Sequence, residues 1–157
     1  MEEGVGVLRF QSTTASCGPA SLRTALLARG IVRSEDELAS LAGFKASEGT
    51  SPKGIVRALA AIAVEHPEVQ PALLSEARDE IAILRLVNCL MGGSVVILCV
   101  DDNEHWSVAF GLLGLGVSTI IHVYDPAETE MVKHYKPGEL LARWRGPGKK
   151  PYYGIIV

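Results

Sequence analysis

Cysteine is scarce in this chain: three residues among 157. Three thiols cannot all pair with one another, and no two are spaced as Cys-x-x-Cys, so a structural zinc site is not expected. Charge of one sign is lacking as well. The net charge is −3 and no basic stripe stands out, with Lys149-Lys150 too short to form a patch. Nucleic acid is therefore not an expected partner. The N-terminus carries Glu2 and Glu3 in place of the basic and apolar regions of a secretory signal. No apolar stretch approaches the ~20 residues a membrane helix needs. The run at 95–100, Val-Val-Ile-Leu-Cys-Val, has the length of a strand. These absences make the cytoplasm the expected compartment. Internal repeats and low-complexity segments are also missing, and the length fits one domain over residues 1–157, with a hydrophobic fraction of 48% to build a core.

Two textures divide that domain. Up to about Met91 the periodicity is helical. Leu22, Ala25, Leu26 and Leu27 share a face of a helix expected over 18–29, stopped by Gly30. Ser34 and Glu37 have capping-box spacing for a second helix ending at Gly43. A third carries Ile55, Leu59, Ile62 and Ala63 from a start near 50–52 to Pro67, and a fourth is expected over 76–90 before Gly92-Gly93. The period then changes. Strands are expected over 94–100, 106–113, 117–124, 131–135 and 152–157, with a short helix over 139–144 that Pro137 starts. The sum is an α+β fold, a helical part of about 1–92 packed on an antiparallel sheet of about 93–157.

Within that frame Cys17 is the residue most suited to chemistry. It lies in Gln11-Ser-Thr-Thr-Ala-Ser-Cys17-Gly18-Pro19-Ala20-Ser21-Leu22. The Gly-Pro pair opens a helical pattern, which sets the thiol in a helix's first turn. Free N–H groups and aligned peptide dipoles there favour thiolate over thiol. A nucleophile needs a base, and the base an orienting group. His105, in His105-Trp106, is expected to begin one strand, and Asp125, in Asp125-Pro126, to end its antiparallel neighbour, so both come to one sheet edge. Gln11 can donate its amide to an oxyanion together with the Cys17 backbone N–H. Each has a plain alternative: a buried cysteine, a histidine in a hairpin turn, an Asp-Pro turn. Their order and context together point to a cysteine hydrolase, most of all a peptidase. Cys89 and Cys99 read as buried apolar residues, and His66, His122 and His134 as structural or surface groups. Asp101, Asp102 and Glu104 read as a solvated hairpin turn, since they lack the alternation and glycine of a calcium loop. Trp106 reads as a core aromatic or as a shield over a His105–Asp125 hydrogen bond. No cofactor or metal is expected.

Gln11, the Cys17-Gly-Pro-Ala-Ser-Leu22 run, His105-Trp106 and Asp125-Pro126 together resemble the C39 family of papain-like cysteine peptidases. The resemblance spans roughly residues 7 to 145. It implies a papain-like fold, with Cys17 as nucleophile, His105 as general base and acid, Asp125 as orienter and Gln11 as oxyanion-hole donor. It also implies a peptide or protein substrate, since family members remove leader peptides after a Gly-Gly pair. Many are fused to an ABC transporter. This chain has no GxxxxGK[ST] motif and carries Ser16 where transporter-linked members often have aspartate, so it resembles the stand-alone, C39-like type. Two other readings use the same residues: an acyl or peptidyl transferase, and a module that binds peptides without cutting them.

Overall fold

A computed structural model describes residues 11–157. Glu2, Glu3 and the first residues of the stretch that carries the family resemblance lie outside it. Among the described residues the elements run α1 (Cys17–Ala28), α2 (Glu35–Ala42), α3 (Pro52–Glu65), β1 (Ala72–Glu76), α4 (Asp79–Met91), β2 (Val96–Val100), β3 (His105–Leu113), β4 (Ile120–Tyr124), β5 (Val132–Tyr135), α5 (Pro137–Trp144) and β6 (Tyr152–Ile156). The strands form one sheet in the order β1-β6-β2-β3-β4-β5, and each neighbouring pair is antiparallel. The architecture is α+β, with the papain-like arrangement the sequence led us to expect.

Local chemistry accounts for most boundaries. Ser34 accepts a hydrogen bond from the Glu37 backbone N–H to cap α2, which ends at Gly43 in the left-handed region at φ 65°. Ser51 caps α3 in the same way, with Pro52 at the first helical position. Lys136 and Glu139 close the start of α5, where the Glu139 carboxylate accepts from the Lys136 N–H.

The helical first half is not purely helical. Residues 72–76, Ala-Leu-Leu-Ser-Glu, form edge strand β1, and α4 starts at Asp79 instead of residue 76. Ala, Leu and Glu are good helix formers, so composition gives no strand signal there. Pairing with the far end of the chain decides it, through Ala72↔Ile156 to Glu76↔Tyr152.

Helices cover both faces of the sheet. Strand β2 is buried on both sides and its side chains alternate between two cores. Ile97 and Cys99 pack with Leu22, Leu26, Leu38, Ile55 and Leu59 of α1–α3. Val96, Leu98 and Val100 pack with Leu86 of α4 and Leu140 and Trp144 of α5. No helix among the described residues is long and apolar enough to cross a membrane.

Candidate active site

Cys17 is the first residue of α1 and is 7% exposed. The preceding turn is built to present it. Ser16 is buried, its hydroxyl accepts from the Thr13 N–H and donates to the Thr13 carbonyl, and its own carbonyl accepts from the Ala20 N–H. The Cys17 backbone N–H belongs to the helix's first turn, whose donors have no intrahelical acceptor. Gly18 lets the next loop come close: a Cβ there would lie 2.6 Å from Thr50 Cβ. Thr50 is fixed in turn by Trp106, whose indole N–H donates to the Thr50 carbonyl at 3.0 Å. Trp106 is buried in the core under α1–α3, so its part here is to tie β3 to this loop.

His105 begins β3 and Asp125 follows the last residue of β4. The two strands are antiparallel neighbours, with a bulge between Ala109 and Gly111. Their ends meet, and His105 Nε2 lies 2.7 Å from Asp125 Oδ1. The other imidazole nitrogen is left for Cys17, which lines the same cleft and acts on the charge of the ring. Burial works to lower the pKa of the His105 ring. The Asp125 hydrogen bond and charge, with those of Cys17, outweigh it and raise the value to about 9. Asp125 mirrors this. Burial works to raise its pKa, and the hydrogen bond and charge of His105, the Ala127 N–H and Arg143 hold it down at about 2.

Arg143, on α5, is the participant that sequence reasoning missed. Its Nη2 donates to Asp125 Oδ2 at 2.6 Å and to Asp101 Oδ2 at 2.9 Å. Its Nε donates to Asp101 Oδ1 at 3.0 Å and its Nη1 to the Tyr135 hydroxyl at 2.8 Å. The bonds to Asp101, the largest influence, drive its pKa up from an already high value. Asp125 is fully buried, so a second cationic donor beside His105 is what a lone carboxylate in that position requires. The turn at 101–103 is exposed, as expected, and Asp101 in it also anchors Arg143. That turn runs through left-handed backbone at Asp101, Asp102 and Asn103, with φ of 52°, 58° and 65°. The sequence signal for this side of the site is the acidic turn next to His105; nothing local marks Arg143 as its partner.

Gln11 comes to the same end of the sheet. Its backbone N–H donates to the Pro126 carbonyl at 3.1 Å. Its amide Nε2 donates to the Thr13 carbonyl at 2.7 Å, while Oε1 is buried without a partner. It is not among the residues lining the cleft over Cys17. That cleft has a volume of about 360 Å³ and is walled by Ala15, Cys17, Thr50, Asn103, His105 and Trp106 among others.

The remaining histidines stand apart. His122 and His134 face each other across β4 and β5 with their Nδ1 atoms 2.6 Å apart, and His66 pairs with Glu68 at 3.1 Å. Cys89 and Cys99 are free thiols, and burial pushes Cys99 up to about 12. No group of metal-binding side chains occurs among the described residues.

An uncharacterized protein of Methanothermobacter marburgensis is 37% identical over 101 residues, covering 64% of this chain and 69% of its own length. The chain belongs to that protein's family. No family model matches it. Among solved structures, the peptidase domain of Streptococcus ComA, a bi-functional ABC transporter of a quorum-sensing pathway, superimposes with a TM-score of 0.67 at 20% identity, covering 96% of both chains. A double glycine motif protease from an AMS/PCAT transporter, solved with its leader peptide, gives a TM-score of 0.64 at 15% identity over 99% of this chain and 94% of its own. The ComA peptidase domain of Streptococcus mutans gives 0.56 at 17%, over 96% of this chain and 98% of its own. The fold is that of these C39-type, papain-like domains.

Proposed function

We propose that the chain is a cysteine peptidase that hydrolyses a peptide or isopeptide bond through an acyl-thioenzyme. The observation that carries this reading is the buried Asp125–His105 hydrogen bond ending at a cleft that His105 and Cys17 line together. An imidazolium paired with a buried carboxylate stabilises a thiolate beside it. The Cys17 sulfur attacks the scissile carbonyl carbon and forms the C–S bond. The oxyanion that develops is met by the Cys17 backbone N–H and by the Gln11 amide, whose second N–H is not used by Thr13. His105 gives its proton to the leaving nitrogen as the C–N bond breaks. It then takes a proton from water, which attacks the thioester and releases the sulfur. Asp125 fixes the ring orientation throughout, and Arg143 holds Asp125 ionised and in place.

Likeness to a double glycine motif protease favours small residues such as Gly-Gly at the cleaved bond, and a leader or precursor peptide as substrate. The direct test is an electrophilic thiol probe followed by intact-protein mass spectrometry, alongside a peptide panel. The expected result is labelling of wild type at Cys17, none on Cys17→Ala, and cleavage only by wild type. Equal labelling of the two proteins would end the reading.

A further inference from the structure

The cleft over Cys17 does not stop at the α3 loop. A second groove of about 680 Å³ shares Glu48, Gly49, Thr50 and Asn103 with it and extends to Lys45, Lys53 and Arg57. The charges along this extension are unbalanced, with three cations against the single carboxylate of Glu48. Glu48 is itself engaged by Lys45 at 3.4 Å. Lys53 has no carboxylate partner among the described residues. The Arg57 guanidinium lies against Gly43, where a Cβ would come within 2.2 Å of Nη2, and its Nε donates to the Leu41 carbonyl, again with no carboxylate.

Lys53 and Arg57 stand four residues apart in the first turns of α3, where like charges repel and the helix dipole adds positive potential. The first turn of α3 has no acidic residue to offset them, whereas α2 has Glu35, Asp36 and Glu37 and α4 has Asp79 and Glu80. Thr50 lines both cavities, so the two join at its position.

We propose that this groove receives an acidic segment of the substrate, with its carboxylates on Lys53 and Arg57 and its backbone passing Thr50 on the way to Cys17. This rests on the peptidase reading for the scissile bond, but the charge preference is a separate property of the groove.

The test is binding to the Cys17→Ala protein, by anisotropy of fluorescein-labelled peptides. Each peptide contains a central Gly-Gly, with a run of Glu on one side or the other, and is matched by a Gln counterpart. The expected result is about tenfold tighter binding of one Glu peptide than of its Gln counterpart at low salt, shrinking toward parity as salt screens the charges. Lys53→Gln with Arg57→Gln should remove the difference. Lys53→Glu alone, with the Arg57 contacts intact, should reverse part of it. Equal binding of Glu and Gln peptides, no measurable binding of either, or a preference that survives the double substitution overturns the proposal. A charge preference without cleavage by wild type leaves the groove standing and removes the peptidase, and cleavage that ignores charge does the reverse.

Discussion

The two helical layers that sandwich the sheet contribute different things to the same corner. The α1–α3 layer brings Cys17, at a helix start packed so tightly against Thr50 that only glycine fits at position 18. The α4–α5 layer brings Arg143, which reaches Asp125 and Asp101 past the ends of the strands. The sheet between them carries His105 and Asp125. One layer thus places the proposed nucleophile through its backbone, and the other supplies charge to a carboxylate that burial alone would neutralise. A site divided in this way should fail differently when each side is disturbed, and the experiments below exploit that difference.

The largest effect is expected on the first side. Cys17→Ala should abolish peptide hydrolysis, a loss on the order of 10⁴-fold or more in kcat/KM, while thermal stability stays close to wild type. His105→Ala should match it in rate. Hydrolysis by Cys17→Ala at a rate comparable to wild type would place the chemistry elsewhere.

On the second side, activity and stability should fall together. Arg143→Met leaves the fully buried Asp125 with one cationic partner fewer and frees Asp101. We expect a loss of about 2–4 kcal/mol in denaturant unfolding. We also expect kcat to drop by roughly 10²-fold through misplacement of His105, with KM little changed. Arg143→Lys should recover part of the stability, because a point charge can serve Asp125 but not both aspartates bidentately. A variant with full stability and lowered KM would contradict this positioning role.

The His105–Asp125 pair joins the two sides, and its pH dependence can be worked out. The His105 pKa is raised from 6.5 to about 9. Its bonus is therefore complete below pH 6.5, where both folded and unfolded chains hold the proton, and is lost as pH rises through about 9. Asp125 is lowered from 3.8 to about 2, so its bonus is complete above 3.8 and is lost as pH falls toward 2. Unfolding free energy should be flat between these limits. It should then decline by on the order of 1–3 kcal/mol between pH 6.5 and 9. His105→Gln should remove most of that alkaline slope, and an unchanged slope would show that another group titrates there.

The contrast also explains which parts were legible in the sequence. Cys17 announces itself through Gly18-Pro19 and the apolar period that follows, all within one helical turn. His105 and Asp125 mark opposite ends of adjacent strands, so a hairpin reading places them near each other without any knowledge of the rest. Arg143 has no such local mark. It looks like any arginine on a short amphipathic helix, and its meaning comes from Asp101, 42 residues away, and Asp125, 18 away. Strand β1 was hidden for the same reason: Ala72–Glu76 is helix-like in composition and becomes a strand only by pairing with β6. Gln11 could be named, but its amide is turned onto the Thr13 carbonyl, a bond that sequence does not encode.

The smallest expected effect is also the sharpest probe of the first layer. Gly18→Ala adds a single methyl group next to Cys17, and that methyl would sit 2.6 Å from Thr50 Cβ and 2.7 Å from its Oγ1. Helix propensity alone would reward the change by about 0.5–1 kcal/mol. Overpacking should reverse the sign, leaving a net loss of about 1–2 kcal/mol. The strain has two ways out: Thr50 shifts and drags the carbonyl that holds Trp106, or the start of α1 shifts and carries Cys17 with it. The Trp106 emission spectrum separates these, because only the first disturbs the indole hydrogen bond. A stabilised Gly18→Ala protein with unaltered hydrolysis would mean that the contact between α1 and the Thr50 loop is slack, and that Cys17 does not depend on that loop for its position.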